Sequence, residues 1–150
     1  MSRYINTIFC DDIRQEMGNK QSLMGVYQSD LLVPNIPAAL PKLCIVITIS
    51  TPIDLPFKKL VIKVTKDDEL LMEAPIIGDQ LHEPQQNIIE NGDSKYPERR
   101  IAIMGAFVLS PFQIEKECIL RVRADTENGE LKGHGLRILK ISQPVATEAQ

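Results

Sequence analysis

The sequence has no tryptophan, only two histidines, and aromatic residues make up just 5% of it. A platform for single-stranded nucleic acid needs exposed rings on which bases stack, so that class is disfavoured. Positive charge is not in excess either: 17 Lys and Arg stand against 20 Asp and Glu, a net charge of −3. A nucleic-acid binder displaces counterions with clustered Lys and Arg, which argues against such a partner here. The three cysteines, Cys10, Cys44 and Cys118, are odd in number and widely spaced, with no CxxC. They form neither a disulfide framework nor a zinc site. Cys44 and Cys118 sit in apolar runs like small hydrophobes, which suits a reducing cytoplasm.

Long apolar runs are missing as well. The densest, Leu43 to Ile49, falls far short of the ~20 residues of a membrane helix. The first residues, MSRYINTIFC, are too short and polar for a signal peptide. The expectation is a chain with no membrane association. Walker, GxSxG and HExxH motifs are absent, and neither His82 nor His134 has a local signature linking it to Cys10 as a thiol nucleophile. No cofactor is implied, and the chain reads as non-enzymatic.

What is present is β-strand patterning. A chain of 150 residues suits one domain, spanning 1–150. At this size roughly 68–70% of the unfolded surface is buried, without disulfides or metals. In residues 3–10, Ile5, Thr7 and Phe9 take one face and Asn6, Ile8 and Cys10 the other. Residues 11–20 are polar and end in the turn signal Gly18-Asn19; the spacing of Ile13 and Met17 allows one helical turn. Strand character resumes over 20–28, where Gly25 marks a bulge or close backbone approach. Pro34, Pro37 and Pro41 then predict a rigid connector without a regular strand.

The strongest strand is KLCIVITIST (42–51). Leu43, Ile45, Ile47 and Ile49 alternate with Cys44, Val46 and Thr48, so a central position with both faces covered is expected. Residues 58–74 read as a hairpin turning at Asp67-Asp68. Residues 99–109 form another strand, Ile101, Ile103 and Phe107 against Ala102, Met104, Ala106 and Val108, ended by Ser110-Pro111. In 117–125, Cys118, Leu120, Val122 and Ala124 point in. Asn128-Gly129 marks a hairpin into a return strand over 131–142 that Gly133 and Gly135 bulge or bend. Residues 75–98, rich in proline and polar residues, predict a long loop, and the tail 143–150 is expected to fray. The fold class is all-β: a single-domain antiparallel sandwich of immunoglobulin-like or C2-like type with about seven or eight strands. A partly open barrel is the alternative.

Two regions carry candidate sites. Asp11, Asp12, Arg14, Glu16 and Lys20 form a polar cluster whose carboxylates could hold a hard cation or small ligand. Capping of a following turn, with ion pairs to Arg14 or Lys20, fits better because the spacing matches no calcium loop; no metal is assigned. In the long loop, Ile76, Ile77, His82, Ile88, Ile89 and Tyr96 could anchor a partner protein or a neighbouring subunit. Arg99 and Arg100, with Lys95, Arg121 and Arg123, read as a solvated sheet face.

The stretch FCDDIRQE (Phe9 to Glu16), with Lys20, Ser22-Leu23 and Gly25-Val26-Tyr27, resembles the signature of an uncharacterised family of small proteins from bacteria and their phages. It covers about the first fifth of the chain. The resemblance implies a compact β domain, phage-encoded, and transfers no mechanism. The functional expectation is a protein–protein interaction module, such as an accessory protein acting on a host factor, that uses the long loop and strand edges and could homo-oligomerise. A virion-associated or self-assembling structural component, and a ligand- or cation-binding sandwich, are the alternatives.

Overall fold

A computed structural model describes residues 2–92 and 99–142. The strands, in chain order, are β1 (Tyr4–Glu16), β2 (Lys20–Tyr27), β3 (Asp30–Val33), β4 (Ala38–Leu40), β5 (Leu43–Pro52), β6 (Leu60–Lys66), β7 (Glu69–Ile76), β8 (Arg100–Leu109), β9 (Phe112–Ile114), β10 (Cys118–Thr126), β11 (Gly129–Lys132) and β12 (Leu136–Lys140). One helix, α1 (Asp79–Asn91), lies between β7 and β8. The strands build two principal sheets that do not close into a barrel: a four-stranded sheet in the order β2-β1-β5-β8, and a second in the order β3-β12-β10-β6-β7, with β11 also on β10. A small β4–β9 ribbon stands apart. The result is an all-β, sandwich-like fold.

Alternation explains the core. Ile5 and Phe9 of β1 and Leu43, Ile45, Ile47 and Ile49 of β5 meet Leu60, Ile62 and Val64 of β6 and Leu120, Val122 and Ala124 of β10 in one buried cluster. Each fully buried Leu or Ile there contributes about 1.5–3 kcal/mol relative to exposure. β5 is central, as its sequence predicts, with β1 and β8 as its neighbours. The hairpin at Asp67-Asp68 forms, with Asp67 at φ 52°. The Asn128-Gly129 reversal forms as well.

The glycine-interrupted return strand is split into β11 and β12, both paired with β10. At the break, the Thr7 hydroxyl donates to the His134 carbonyl (2.9 Å), tying β1 to the opposite sheet. A Cβ at Gly133 would lie 2.7 Å from the Thr7 methyl carbon, so the glycine permits this approach.

Four expectations are corrected. Strands outnumber the expected count because short ones fit beside prolines: β3, β4 and β9 have four, three and three residues. A strand this short keeps its proline-flanked ends outside the hydrogen-bonded ladder. The sheets are not wholly antiparallel, since β3 runs parallel to β12. Residues 11–16 form no helical turn: β1 is 13 residues long and pairs with β2 up to Glu16–Lys20.

Finally, much of the expected loop 75–98 is β7 or α1. Leu81 and Gln85 are buried there, with Ile88 and Ile89 half-buried, which is helical spacing with a glutamine at an apolar position. Pro84 disguises the pattern, and the Gln85 side chain makes it work. Its amide accepts from Phe57 N–H (2.7 Å) and donates to the carbonyls of Phe57 (2.9 Å) and Leu81 (3.0 Å). Tyr96, Lys95 and the tail 143–150 lie outside the described residues.

Candidate functional site

The charged stretch sits on the part of the β1–β2 ribbon that runs past the pairing with β5, which stops at Cys10–Cys44. There Ile13 and its cross-strand partner Leu23 pack against Cys10, Cys44 and Val46 in a second, smaller apolar cluster. The polar groups are occupied locally. The Tyr27 hydroxyl donates to Asp11. A Cβ at Gly25, where φ is +67°, would collide with the Asp11 carboxylate, so glycine makes this contact possible. Asp12 accepts from the Ile13 N–H (2.9 Å) and from Lys42 (2.9 Å). The Ser22 hydroxyl donates to Glu16 (2.7 Å). Arg14 lies opposite Ser22 and Lys20 opposite Glu16 across the ribbon. The groups that meet these carboxylates are Tyr27, Lys42 and Ser22, not the expected Arg14 or Lys20; Lys42 comes from just before β5.

Electrostatics agree. The bond from Lys42 holds the Asp12 carboxyl below its ordinary range and raises the Lys42 ammonium. Burial, then the bond to Asp11, pushes the Tyr27 phenol up to about 12. Burial, with Cys44 alongside, raises the Cys10 thiol, so its thiolate is disfavoured at neutral pH. Among the described residues no three His, Cys, Asp or Glu side chains converge in a way that would hold a metal.

The residues expected to anchor a partner are divided. Ile76 packs against the main core and is committed to folding. Ile77 is 68% exposed, and His82 is exposed on α1. Ile88 and Ile89 are half-buried, and the Ile88 carbonyl accepts from Arg99 (2.6 Å). The expected basic face is also divided. Arg100 lies over the Tyr4 ring beside the four-stranded sheet, while Arg121 and Arg123 sit on β10 of the other sheet.

A different surface emerges on the outside of the four-stranded sheet. Cross-strand register lines up Val26, Cys10, Cys44 and Val108; then Ile8, Val46 and Ala106; then Asn6, Thr48 and Met104. On β8 the outward residues Ala102, Met104, Ala106 and Val108 are all apolar and all exposed, Met104 by 65% and Val108 by 51%. Among the described residues β8 pairs only with β5, so its other edge carries unpaired backbone groups. The signal was visible in sequence as a strand apolar on both faces, without a charge from Ile101 to Leu109. What sequence could not tell is that β8 lies at an edge.

The profile of a family of unknown function (DUF6941) matches residues 6–139. The chain belongs to that family. The match runs from β1 to β12 and so takes in both sheets, well beyond the N-terminal signature. No curated protein and no solved structure matches the chain significantly. Among the described residues no helix is long and apolar enough to cross a membrane.

Proposed function

We propose that this member of the DUF6941 family is a non-enzymatic protein–protein interaction module that docks its partner on the outer face and free edge of the β2-β1-β5-β8 sheet. One observation carries it: four consecutive outward positions of β8 are apolar and exposed beside a strand edge that has no partner among the described residues. An exposed apolar patch rimmed by polar residues marks an interaction surface, and a bare strand edge supplies main-chain hydrogen bonds to an added strand. The wider reading, an accessory protein of phage origin acting in the cytoplasm, rests on the N-terminal signature and the free thiols. Ile77 and His82 form a secondary contact region near α1.

Photo-crosslinking tests the reading. A benzophenone amino acid replaces Met104 in one variant and Glu73, exposed on β7, in another. A polypeptide adduct is expected at position 104 and not at 73. Equal labelling, or no adduct at 104, overturns the proposal.

A further inference from the structure

Resting on that docking surface, we infer that its occupant is a second copy of the chain, joined β8 to β8 in antiparallel register about a two-fold axis through Gly105. Such pairing fuses the two four-stranded sheets into one continuous sheet and satisfies the backbone groups that the edge leaves unpaired.

The strand is complementary to itself in this register. On the outer face, Met104 meets Ala106 of the second copy and Ala102 meets Val108, a large side chain against a small one each time. On the inner face, Ile103 meets Phe107 and Ile101 meets Leu109, which extends the core across the axis. Gly105 faces Gly105, and nothing lies within 4 Å of where its Cβ would stand. Charge agrees as well. Arg100, the only charged residue of β8, falls opposite Ser110 and not opposite its own copy. Moving the axis to Met104 would oppose two Met104 side chains and set Arg100 against Val108. Moving it to Ala106 would bring Pro111 against Ile101.

The other sheet-end strands discourage such pairing. β7 carries Glu69, Glu73 and Pro75 and has an irregular register with β6. β2 carries Lys20 and the left-handed Gly25. β3 has only four residues. Among the described residues β8 is the one sheet-end strand without such a feature, so pairing closes at two copies and does not propagate.

The test uses the full chain. Sedimentation velocity over a wide concentration range is expected to show a species of twice the monomer mass. M104K combined with V108K should reduce it to the monomer while leaving the circular-dichroism signature of the folded chain unchanged, since both side chains point outward; the midpoint falls only to the extent that association had raised it. G105C should form a covalent dimer with oxidised glutathione, because directly opposed residues of an antiparallel pair lie within disulfide reach. The native thiols are all buried and should not compete. An E73C control should stay monomeric.

A wild-type monomer at every concentration overturns the inference. So does a dimer that survives M104K/V108K, or G105C that links no faster than E73C. The photo-adduct at position 104 separates this from the docking reading. A different polypeptide there would leave that reading standing and remove the second copy as occupant; no adduct at all would remove both.

Discussion

The two outer faces of the sandwich differ sharply. On the face of β6, β7 and β10, register lines up Glu73, Lys63 and Arg123, with Asp125 beside Val61 in the next row. Lys63 pairs with Asp125 (2.6 Å), and Arg123 lies 3.7 Å from Glu130. On the face of β1, β5 and β8 the corresponding positions hold Ile8, Val46 and Ala106, with Thr48 and Met104 beyond. The inward faces of both sheets are equally apolar and share one core. Folding alone requires only those inward faces. The difference outside is therefore not a demand of folding, and the docking proposed for β8 would account for it, since an antiparallel sheet that simply faces water carries polar residues there.

Reversing the character of each face gives the largest expected effect. Val46 is only 6% exposed despite its outward position. V46R should cost about 2–4 kcal/mol by urea denaturation, because it places a charge among apolar neighbours. R123V on the other sheet should change stability by less than about 0.5 kcal/mol. Equal effects would mean that the two faces do not differ in kind.

The next effect belongs to the end of the sandwich that both sheets share. Arg3 lies over the Phe57 ring, 4.4 Å from its centroid, and pairs with Glu127 at 2.5 Å. Glu127 also accepts from the N–H groups of Lys58 (2.9 Å) and Lys59 (3.1 Å). Burial pushes its carboxyl up, but Arg3 and these N–H groups outweigh burial and hold it at about 2. A carboxyl lowered in the folded state stabilises above its unfolded pKa, and that contribution fades as pH falls toward the folded value. Stability should therefore decline between about pH 4.5 and pH 2 by an amount on the order of 2 kcal/mol from this group. E127Q should flatten the decline; an unchanged acid slope in thermal melts would show that the group carries none of it.

A smaller effect is expected from stripping the guard off β7. E73V combined with P75V should leave the fold intact and give the second sheet an apolar edge. Combined with the β8 pairing inferred above, this should make scattering rise with concentration beyond the dimer. Absence of any rise would show that edge composition does not govern assembly here. The smallest effect is expected for the Lys63–Asp125 pair. K63A should lower the thermal midpoint slightly, and high salt should erase the difference from wild type.

Legibility in the sequence followed physical range. The alternation of β5, β6 and β10, the turns at Asp67-Asp68 and Asn128-Gly129, and the break at Gly133 and Gly135 were all readable, because each depends on residues within one or two strand lengths. α1 was missed because a buried Gln85 stands where the helical pattern calls for an apolar residue, and its justification lies far away at Phe57. In the charged stretch the carboxylates meet groups other than the expected Arg14 and Lys20. All three lie outside the pairs that the sequence suggests: Tyr27, which reaches Asp11 across the Gly25 notch, Ser22, which donates to Glu16, and Lys42, which comes from beyond the ribbon.

The sequence by itself determined which residues alternate, where the chain turns, and that a two-faced apolar strand exists at both 43–49 and 101–109. Only the tertiary structure decided their different fates. β5 lies between two strands and buries nearly all of its length. β8, with the same composition logic, lies at the end of the sheet with its outward residues in water. Strand order is set by long-range pairing, which local patterning does not encode. That order turns one apolar strand into core and leaves the outward residues of the other exposed at the end of a sheet.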